Sequence, residues 1–445
     1  MKRVFENDLT EWFHSHDRKP LILRGARQVG KSTLVHLFAK NNSYDLIEIN
    51  LETYKFKALE KEVFSIEDWL LEIEAIGQKT ITKNTIIFLD EIQAQPKAIA
   101  MLRYFYEKRP DIPVLAAGSL LEIVLHNEEV SFPVGRVSFL WISPMSFGEY
   151  LMAIGKEDLY HLILENRLSE YHAPIVSEEL KKYFFIGGMP NVVKTFIETQ
   201  SLLEARKIQQ EIIETYVSDF PKYSKRINVE RMVTVFKQLP FFLGKKLIYQ
   251  HLDSGSKSIE IKKCVELLIR ANIIVPSFHS NASGVPLAAT LDRSITKMFF
   301  LDIGLVNAIH QFEWNDFQEM YDKSFVTKGF LAEQFISQHL SGAISKISPP
   351  ETIFWLRDKS TKKAEVDFLV TKNSEILPVE VKASKGKKLA SLIIFAKEKK
   401  LKKAIKFSKE WFFEEKIQVG DSRELLVENW PLYCVEGFVK TLVKG

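Results

Sequence analysis

The sequence predicts an α/β protein of several domains that opens with a doubly wound parallel sheet. Short apolar runs at 21–23, 46–51, 86–89, 114–117 and 137–142 read as strands. Several lack any polar residue, as strands buried on both faces of a parallel sheet should. Helical stretches at 32–40 and 96–108 lie between them, and this alternation gives the doubly wound order over about residues 1–145. At 445 residues the chain is too long for one core, so two to four domains are expected.

The pattern changes after the first third. Residues 146–224 read as a helical lid, broken at Gly187-Gly188-Met189-Pro190, a helix breaker and candidate hinge. Over 225–310 a helix at 258–271 precedes short strands at 273–278 and 297–301, compatible with a winged-helix-like unit and almost as well with other α+β arrangements. The last stretch, 311–445, gives a helix at 328–340, strands at 352–356, 365–370 and 376–381, a helix at 389–401 and a strand at 404–407.

Hydrophobic residues make up 46% of the chain and charged residues 27%, the balance of an ordinary globular protein. The opening MKRVFENDLTEWFHSHD lacks an apolar h-region, so no signal peptide is expected. The longest near-apolar run, 113–125, is interrupted by Glu122 and falls short of the roughly 20 residues that span a bilayer, so no membrane partner is expected. Two cysteines, Cys264 and Cys434, exclude a disulfide framework or a zinc cluster and point to a reducing, cytoplasmic setting. The net charge of +4 is modest, but lysines recur at 382, 385, 387, 388, 397, 399, 400, 402, 403, 406 and 409, with Glu398 the one acid among them. Such a run is either a solvated face or a surface for a polyanion.

The chemistry starts at Gly25-Ala26-Arg27-Gln28-Val29-Gly30-Lys31-Ser32, which fits the phosphate loop G-x-x-x-x-G-K-[ST], with Thr33 following. It sits between an expected strand and an expected helix. Glycines let backbone N–H groups converge on phosphates, and the helix N-terminus adds positive partial charge. Lys31 should reach the β- and γ-phosphates of ATP, and Ser32 should hold Mg2+. The strand Thr85–Glu91, TIIFLDE, ends in two acids. Asp90 can complete the magnesium shell, and Glu91 can orient and deprotonate the attacking water. Ser119, after the run VLAAG, either contacts the γ-phosphate or the water, or caps the next helix. Arg136 precedes the last expected core strand. Ring-forming ATPases place there an arginine that acts on a neighbouring subunit's nucleotide, which would require a homo-oligomer; a structural arginine at a surface turn is the alternative.

The segments LILRGARQVGKSTL, IIFLDEIQ, AAGSLL and GRVSFLWISPMSFGEY, with IGGMPNVV and FFLDIGLVNAI further on, resemble bacterial and archaeal AAA-plus ATPases of unsettled biological role. The resemblance covers nearly the whole chain and implies a C-terminal restriction-endonuclease-like domain. In that region EVDFLV carries Asp367 and PVEVK carries Glu380 and Lys382, with Glu380 and Lys382 on one face of a strand. If the two strands form a hairpin, Asp367 comes beside Glu380. Two carboxylates so placed can hold Mg2+ or Mn2+, with Lys382 positioning a water and Glu333 a further ligand. The order resembles the nuclease motif PD-(D/E)xK, with Val366 in place of the proline.

The sequence thus implies an ATPase that couples ATP and ADP binding to engagement of nucleic acid, DNA being the expected partner, which its C-terminal domain either cuts at a metal-dependent site or binds without cutting. The alternative is a nucleotide-operated switch whose C-terminal unit is a protein-interaction platform.

Overall fold

The computed structural model describes residues 1–127, 132–223, 227–321, 329–344, 346–359, 362–382, 389–420 and 423–443. The chain divides into two compact units, one of Met1–Pro144, Arg270–Ile273 and Lys346–Pro349, the other of Met145–Ile269, Ile274–Ser345 and Pro350–Gly445. Among the described residues, no helix is long and apolar enough to cross a membrane. Cys264 and Cys434 are both buried and free.

The first unit is built on strands β1 (Leu21–Arg24), β2 (Asp45–Asn50), β3 (Thr85–Asp90), β4 (Val114–Ala117) and β5 (Ser138–Trp141). They form one parallel sheet in the order β2-β3-β4-β1-β5. The central β4 is buried at every position, whereas the edge strand β2 alternates between buried and open positions. That difference is why the central runs read as continuously apolar. Helices Lys31–Asn41, Ile66–Gly77 and Pro96–Lys108 accompany the sheet, and Trp69 packs edge-on against Phe56 within the core. Because every strand is parallel, the residues after Arg24, Asp90 and Ala117 all emerge at the same edge. That is the edge where open parallel sheets place their ligands.

The second unit begins with helices, including Phe147–Ala153, Ala173–Ile186, Pro190–Thr199 and Leu202–Tyr223. The breaker at 187–190 separates two of them but is no loose hinge: Gly187, Gly188 and Met189 are all buried. Asp302 explains why. Its carboxylate accepts N–H bonds from Gly188 at 2.6 Å and from Leu305 at 3.1 Å. A Cβ on Gly188 would stand 2.0 Å from the Met145 carbonyl oxygen, and one on Gly304 would stand 2.2 Å from that of Ile186. Backbone therefore locks against backbone, Gly188 on Met145 and Gly304 on Ile186.

Two sheets follow. Helix Ser258–Arg270 leads into β6 (Ile274–Ser280) and β7 (Leu291–Phe300), which pair antiparallel. The outer edge of β6 is not left open. β8 (Thr352–Lys359) pairs with it in parallel, and β9 (Lys362–Val366) completes the order β7-β6-β8-β9, so this sheet runs across residue 310. The second sheet takes β10 (Phe368–Lys372), β11 (Glu375–Val381), β12 (Lys403–Ser408), β13 (Phe413–Gln418) and β14 (Glu424–Pro431) in the order β10-β11-β12-β14-β13. The single strand expected at 365–370 is therefore two strands in two sheets, and Asp367 sits at the break. The helix expected from 328 runs Phe330–Ile344, with Lys328 outside the described residues.

The glycine lock makes two predictions of stability. Gly188→Ala should cost about 2–4 kcal/mol, because the clash is with backbone that cannot rotate away. Burial raises the Asp302 pKa from 3.8 to about 6, against the N–H bonds from Gly188 and Leu305 that lower it. A carboxyl whose folded pKa is raised gives stability that is fully present below its unfolded pKa and lost as pH rises through the folded one. Urea melts at pH 5 and pH 7 should therefore show a smaller pH dependence in Asp302→Asn than in the parent. An equal dependence in both would remove Asp302 as its source.

Candidate functional site

The phosphate loop lies between the end of β1 and helix Lys31–Asn41. Gly25 turns at φ 128°, Gln28 at 65° and Gly30 at 90°. A Cβ on Gly25 would stand 2.2 Å from the Ile142 carbonyl oxygen. Gly30 is the N-cap of the helix and no side chain caps the first turn, so its N–H groups are open to an anion. Lys31 is buried and turns back on its own loop, donating to the carbonyl oxygens of Gly25 at 3.0 Å and Ala26 at 2.7 Å. Burial pulls its ammonium pKa down to about 8, although Glu91 and Asp90 act to raise it.

Ser32 Oγ donates to Asp90 Oδ2 at 2.9 Å, joining the loop to the end of β3. Burial raises the Asp90 pKa, with Glu91 adding to the rise and the Ser32 bond opposing it. A hydroxyl and a carboxylate held together beside the phosphate loop are a donor set that suits Mg2+. Glu91 has a left-handed backbone, φ 49° and ψ 47°, and its Oε2 accepts from Gln93 Nε2 at 2.6 Å. Ser119 follows β4, which lies between β3 and β1, and it is buried. The sheet therefore brings Gly25–Thr33, Asp90, Glu91 and Ser119 to one edge.

Arg136 is not among them. It lies two residues before the start of β5, and in a parallel sheet that is the opposite edge. It is about half exposed and paired to Glu107 Oε1 at 2.8 Å.

Sequence reading missed two residues that support the loop. The Arg3 guanidinium donates to the carbonyl oxygens of Val29 at 2.9 Å and Ser143 at 2.7 Å, bracing the loop from the chain's N-terminal segment. Gln93 is buried, and its Oε1 has no hydrogen-bond partner among the described residues. A Cβ on Gly118 would stand 2.3 Å from that oxygen, so Gly118 makes room for Gln93. Only the placement of a glutamine two residues after the acidic pair hinted at it.

In the second unit the β10–β11 register sets Phe368 opposite Val379, which brings Asp367 beside Glu380. Asp367 Oδ2 accepts the Val381 N–H at 2.8 Å, and Lys382 Nζ donates to Glu380 Oε1. Glu333, from the preceding helix, belongs to the same buried group. Burial and then Asp367 raise its pKa well above the usual carboxylate range, against Lys297. Burial and Asp367 likewise push Glu380 up to about 8, against Lys382. Two members were not foreseen: Lys297 on β7, with a fully buried side chain, and Glu365 on β9, which it contacts directly. Burial alone would lower both lysines, but their carboxylate neighbours outweigh it and raise them. Glu333 Oε2 and Glu380 Oε2 are buried without a hydrogen-bond partner among the described residues. Among those residues, however, no three His, Cys, Asp or Glu side chains are placed to share a metal ion.

The lysine run is not one face. Lys406 is buried and paired to Glu410 at 2.9 Å, whereas Lys397, Lys400 and Lys402 are exposed. Lys385, Lys387 and Lys388 lie outside the described residues.

With this geometry in place, residues 17–151 match a family described as an AAA domain. Residues 177–316 and 328–422 match two families described only as domains of unknown function. A curated relative, the replication factor C large subunit of Methanococcus maripaludis, is 30% identical over 92 residues, which is 20% of this chain and 17% of that protein. Similar solved structures include a Walker-type ATPase of Pyrococcus abyssi, at 15% identity and TM-score 0.45, covering 69% of this chain and 95% of that one. Another is the ORC2 protein of Aeropyrum pernix, at 10% identity and TM-score 0.34, covering 72% and 96%. The AAA-domain match and the phosphate-loop site together define residues 17–151 as an AAA-type P-loop ATPase domain.

Gln93 generates the prediction from this site. It fixes one oxygen of Glu91, and its amide is not hydrogen-bonded to the phosphate loop. Gln93→Ala should therefore leave ATP affinity within about twofold while lowering turnover about tenfold, the signature of a residue that orients Glu91 without holding the nucleotide. Equal loss of affinity and turnover would show that Gln93 supports the loop instead.

Proposed function

We propose that this chain hydrolyses ATP at the shared edge of its parallel sheet and couples the nucleotide state to engagement of nucleic acid, with DNA the expected partner. The observation that supports nucleotide binding most directly is the phosphate loop. Its helix N-terminus is uncapped, and Lys31 rests on the loop's own carbonyls, which phosphate oxygens would replace. Ser32 and Asp90 would hold Mg2+, which supplies positive charge to the phosphates. Water attacks the γ-phosphorus, its proton passes to the Glu91 carboxylate, the bond to the bridging oxygen breaks, and ADP leaves with phosphate. Gln93 keeps Glu91 oriented for that transfer. Ser119 contacts the γ-phosphate or the attacking water from the end of β4. Arg136, on the opposite edge, acts on the nucleotide of a second copy of the chain. The coupling to nucleic acid rests on the exposed lysines of 397–402, in keeping with the replication factor identity of the curated relative.

Lys31→Ala should weaken ATP binding about a hundredfold, because it removes a buried ammonium that donates to phosphate. Glu91→Gln should bind ATP normally and hydrolyse it at least about a hundredfold more slowly. Arg136→Ala should bind ATP without turnover and recover activity on mixing with Lys31→Ala subunits. Isothermal titration and phosphate release, with and without DNA, check these outcomes together. Parent-level turnover in Glu91→Gln would remove its role, failure of mixed subunits to recover would remove that of Arg136, and turnover indifferent to every nucleic acid would remove the coupling.

For the carboxylate group of the second unit, two observations pull apart. The unpartnered buried oxygens of Glu333 and Glu380 suit a divalent cation. Lys382 sitting on Glu380, with no three ligands assembled among the described residues, favours the second reading, in which this unit is a binding platform without nuclease activity. Titration of the DNA-bound full-length protein with Mn2+ separates them. Binding that disappears in Glu380→Ala together with strand scission supports a PD-(D/E)xK-type nuclease in which Asp367, Glu380 and Lys382 act. Absence of both leaves the platform.

A further inference from the structure

A cleft of about 740 Å³ opens in the second unit between the β10–β11 turn, the loop at 282–285 and the end of helix Ala390–Lys399 with the turn that follows it. Five lysines line it, Lys372, Lys399, Lys400, Lys402 and Lys403, against two acids, Glu375 and Glu398. Their pairings decide the field. Glu398 is taken by Arg357 at 2.5 Å, and Lys403 pairs with Glu428 at 2.5 Å. Lys372 donates to the Thr441 hydroxyl at 3.0 Å and Lys399 to the Asn281 carbonyl at 2.5 Å, neutral partners that leave both charges uncompensated. Lys400 and Lys402 are exposed, without an ion-pair partner among the described residues. Four lysines without an ion-pair partner among the described residues therefore line the cleft with one such acid, Glu375, which stands opposite Lys372 across the β10–β11 hairpin.

Lysines around the last turn of a helix are ordinarily explained by its macrodipole, which accounts for the 399–403 group alone. Lys372 comes from a different element. It precedes the two-residue turn Asn373–Ser374, whose φ values of 51° and 62° make the tight hairpin that carries Lys372 to the same cleft. Convergence from two elements is not a capping effect. Ammonium groups on flexible stems, without a fork of pre-aligned donors, suit a chain of phosphates better than one fixed anion. No aromatic side chain lines the cleft among the described residues, so bases have nothing to stack on.

We infer that this cleft seats the phosphodiester backbone of a nucleic acid, contacting phosphates and not bases. The inference rests on the nucleic-acid reading above and gives it a place. Binding at such a surface is indifferent to base sequence and falls steeply with salt.

The test uses the full-length chain and fluorescently labelled DNA duplexes of two unrelated sequences, with affinity followed from about 50 to about 200 mM salt. The parent should bind both sequences equally. In the triple variant Lys399→Ala/Lys400→Ala/Lys402→Ala the log–log salt slope should flatten by about 2–3, since each phosphate no longer neutralised takes about 0.9 from it. Glu375→Lys, which adds a cation at an exposed turn, should tighten binding and steepen the slope, and it keeps the test valid if the triple variant folds poorly. Parent-like slopes in both variants would overturn the cleft while leaving nucleic-acid binding elsewhere on the protein. A marked preference for one sequence would overturn the phosphate-only recognition. No binding by the parent at any salt would overturn the nucleic-acid reading itself, and the cleft with it.

Discussion

The ATP edge depends on one approach of backbone to backbone. The Ile142 carbonyl occupies the space that any side chain on Gly25 would need, while the Ile142 N–H donates to the Arg24 carbonyl at 2.8 Å. That pair joins the last residue of β1 to the chain just past β5. It fixes where the phosphate loop begins, and the positive φ values at Gln28 and Gly30 then turn the chain into the helix that starts at Lys31. Arg3 braces the far side by holding Val29 and Ser143. With the loop placed, Ser32 meets Asp90 because β1 and β3 are separated by β4 alone. A larger residue at Gly25 would push the end of β5 away from β1 and open the loop before any phosphate arrived.

The second unit uses the same device for a different end. Gly188 lies so close to the Met145 backbone, and Gly304 to that of Ile186, that both need hydrogen in place of a side chain, and the Asp302 carboxylate supplies the acceptor that their N–H groups require. Here the close approach joins two helices at a turn that a sequence reader takes for a hinge. Glycine pairs permit mobility only where nothing fills the space they leave, and at 187–188 backbone fills it.

What could be read from the sequence divides along this line. The central parallel strands announce themselves because burial on both faces makes their runs apolar, and the phosphate loop because its glycines and lysine stand at fixed spacing in a strand-to-helix turn. The antiparallel placement of Asp367 beside Glu380 follows from period-two patterning around a hairpin. What stayed hidden depends on long-range contacts. Gln93 is a routine glutamine until the sheet sets Gly118 beside it. Lys297 reads as one more lysine in an alternating strand, and only the path of β7 takes it inside. The β13–β14 pair gives little warning because FEEKIQ is mostly exposed, so its pattern is that of a surface edge without a strong apolar signal. The break at Asp367 is invisible because EVDFLV has no glycine or proline to mark a change of sheet.

That break carries the chemistry of the buried charge group. A continuous strand would leave β9 and β10 in one sheet. Switching sheets at Asp367 instead gathers Glu365 from one side and Glu380 from the other around the helix that carries Glu333. The group then holds three enclosed carboxyl groups, Glu333, Asp367 and Glu380, and the partly exposed Glu365, against two ammonium groups, Lys297 and Lys382. Burial does not tolerate the surplus negative charge, so it must be met by protons or by a cation. Burial and the neighbouring Asp367 push Glu333 and Glu380 up, towards the protonated form, and theirs are the oxygens left without a partner among the described residues. A cation entering the group would have to replace those protons and draw Glu380 away from Lys382. Metal affinity at this site should therefore climb with pH, and that climb is a property of the surplus charge whether or not the site cuts nucleic acid.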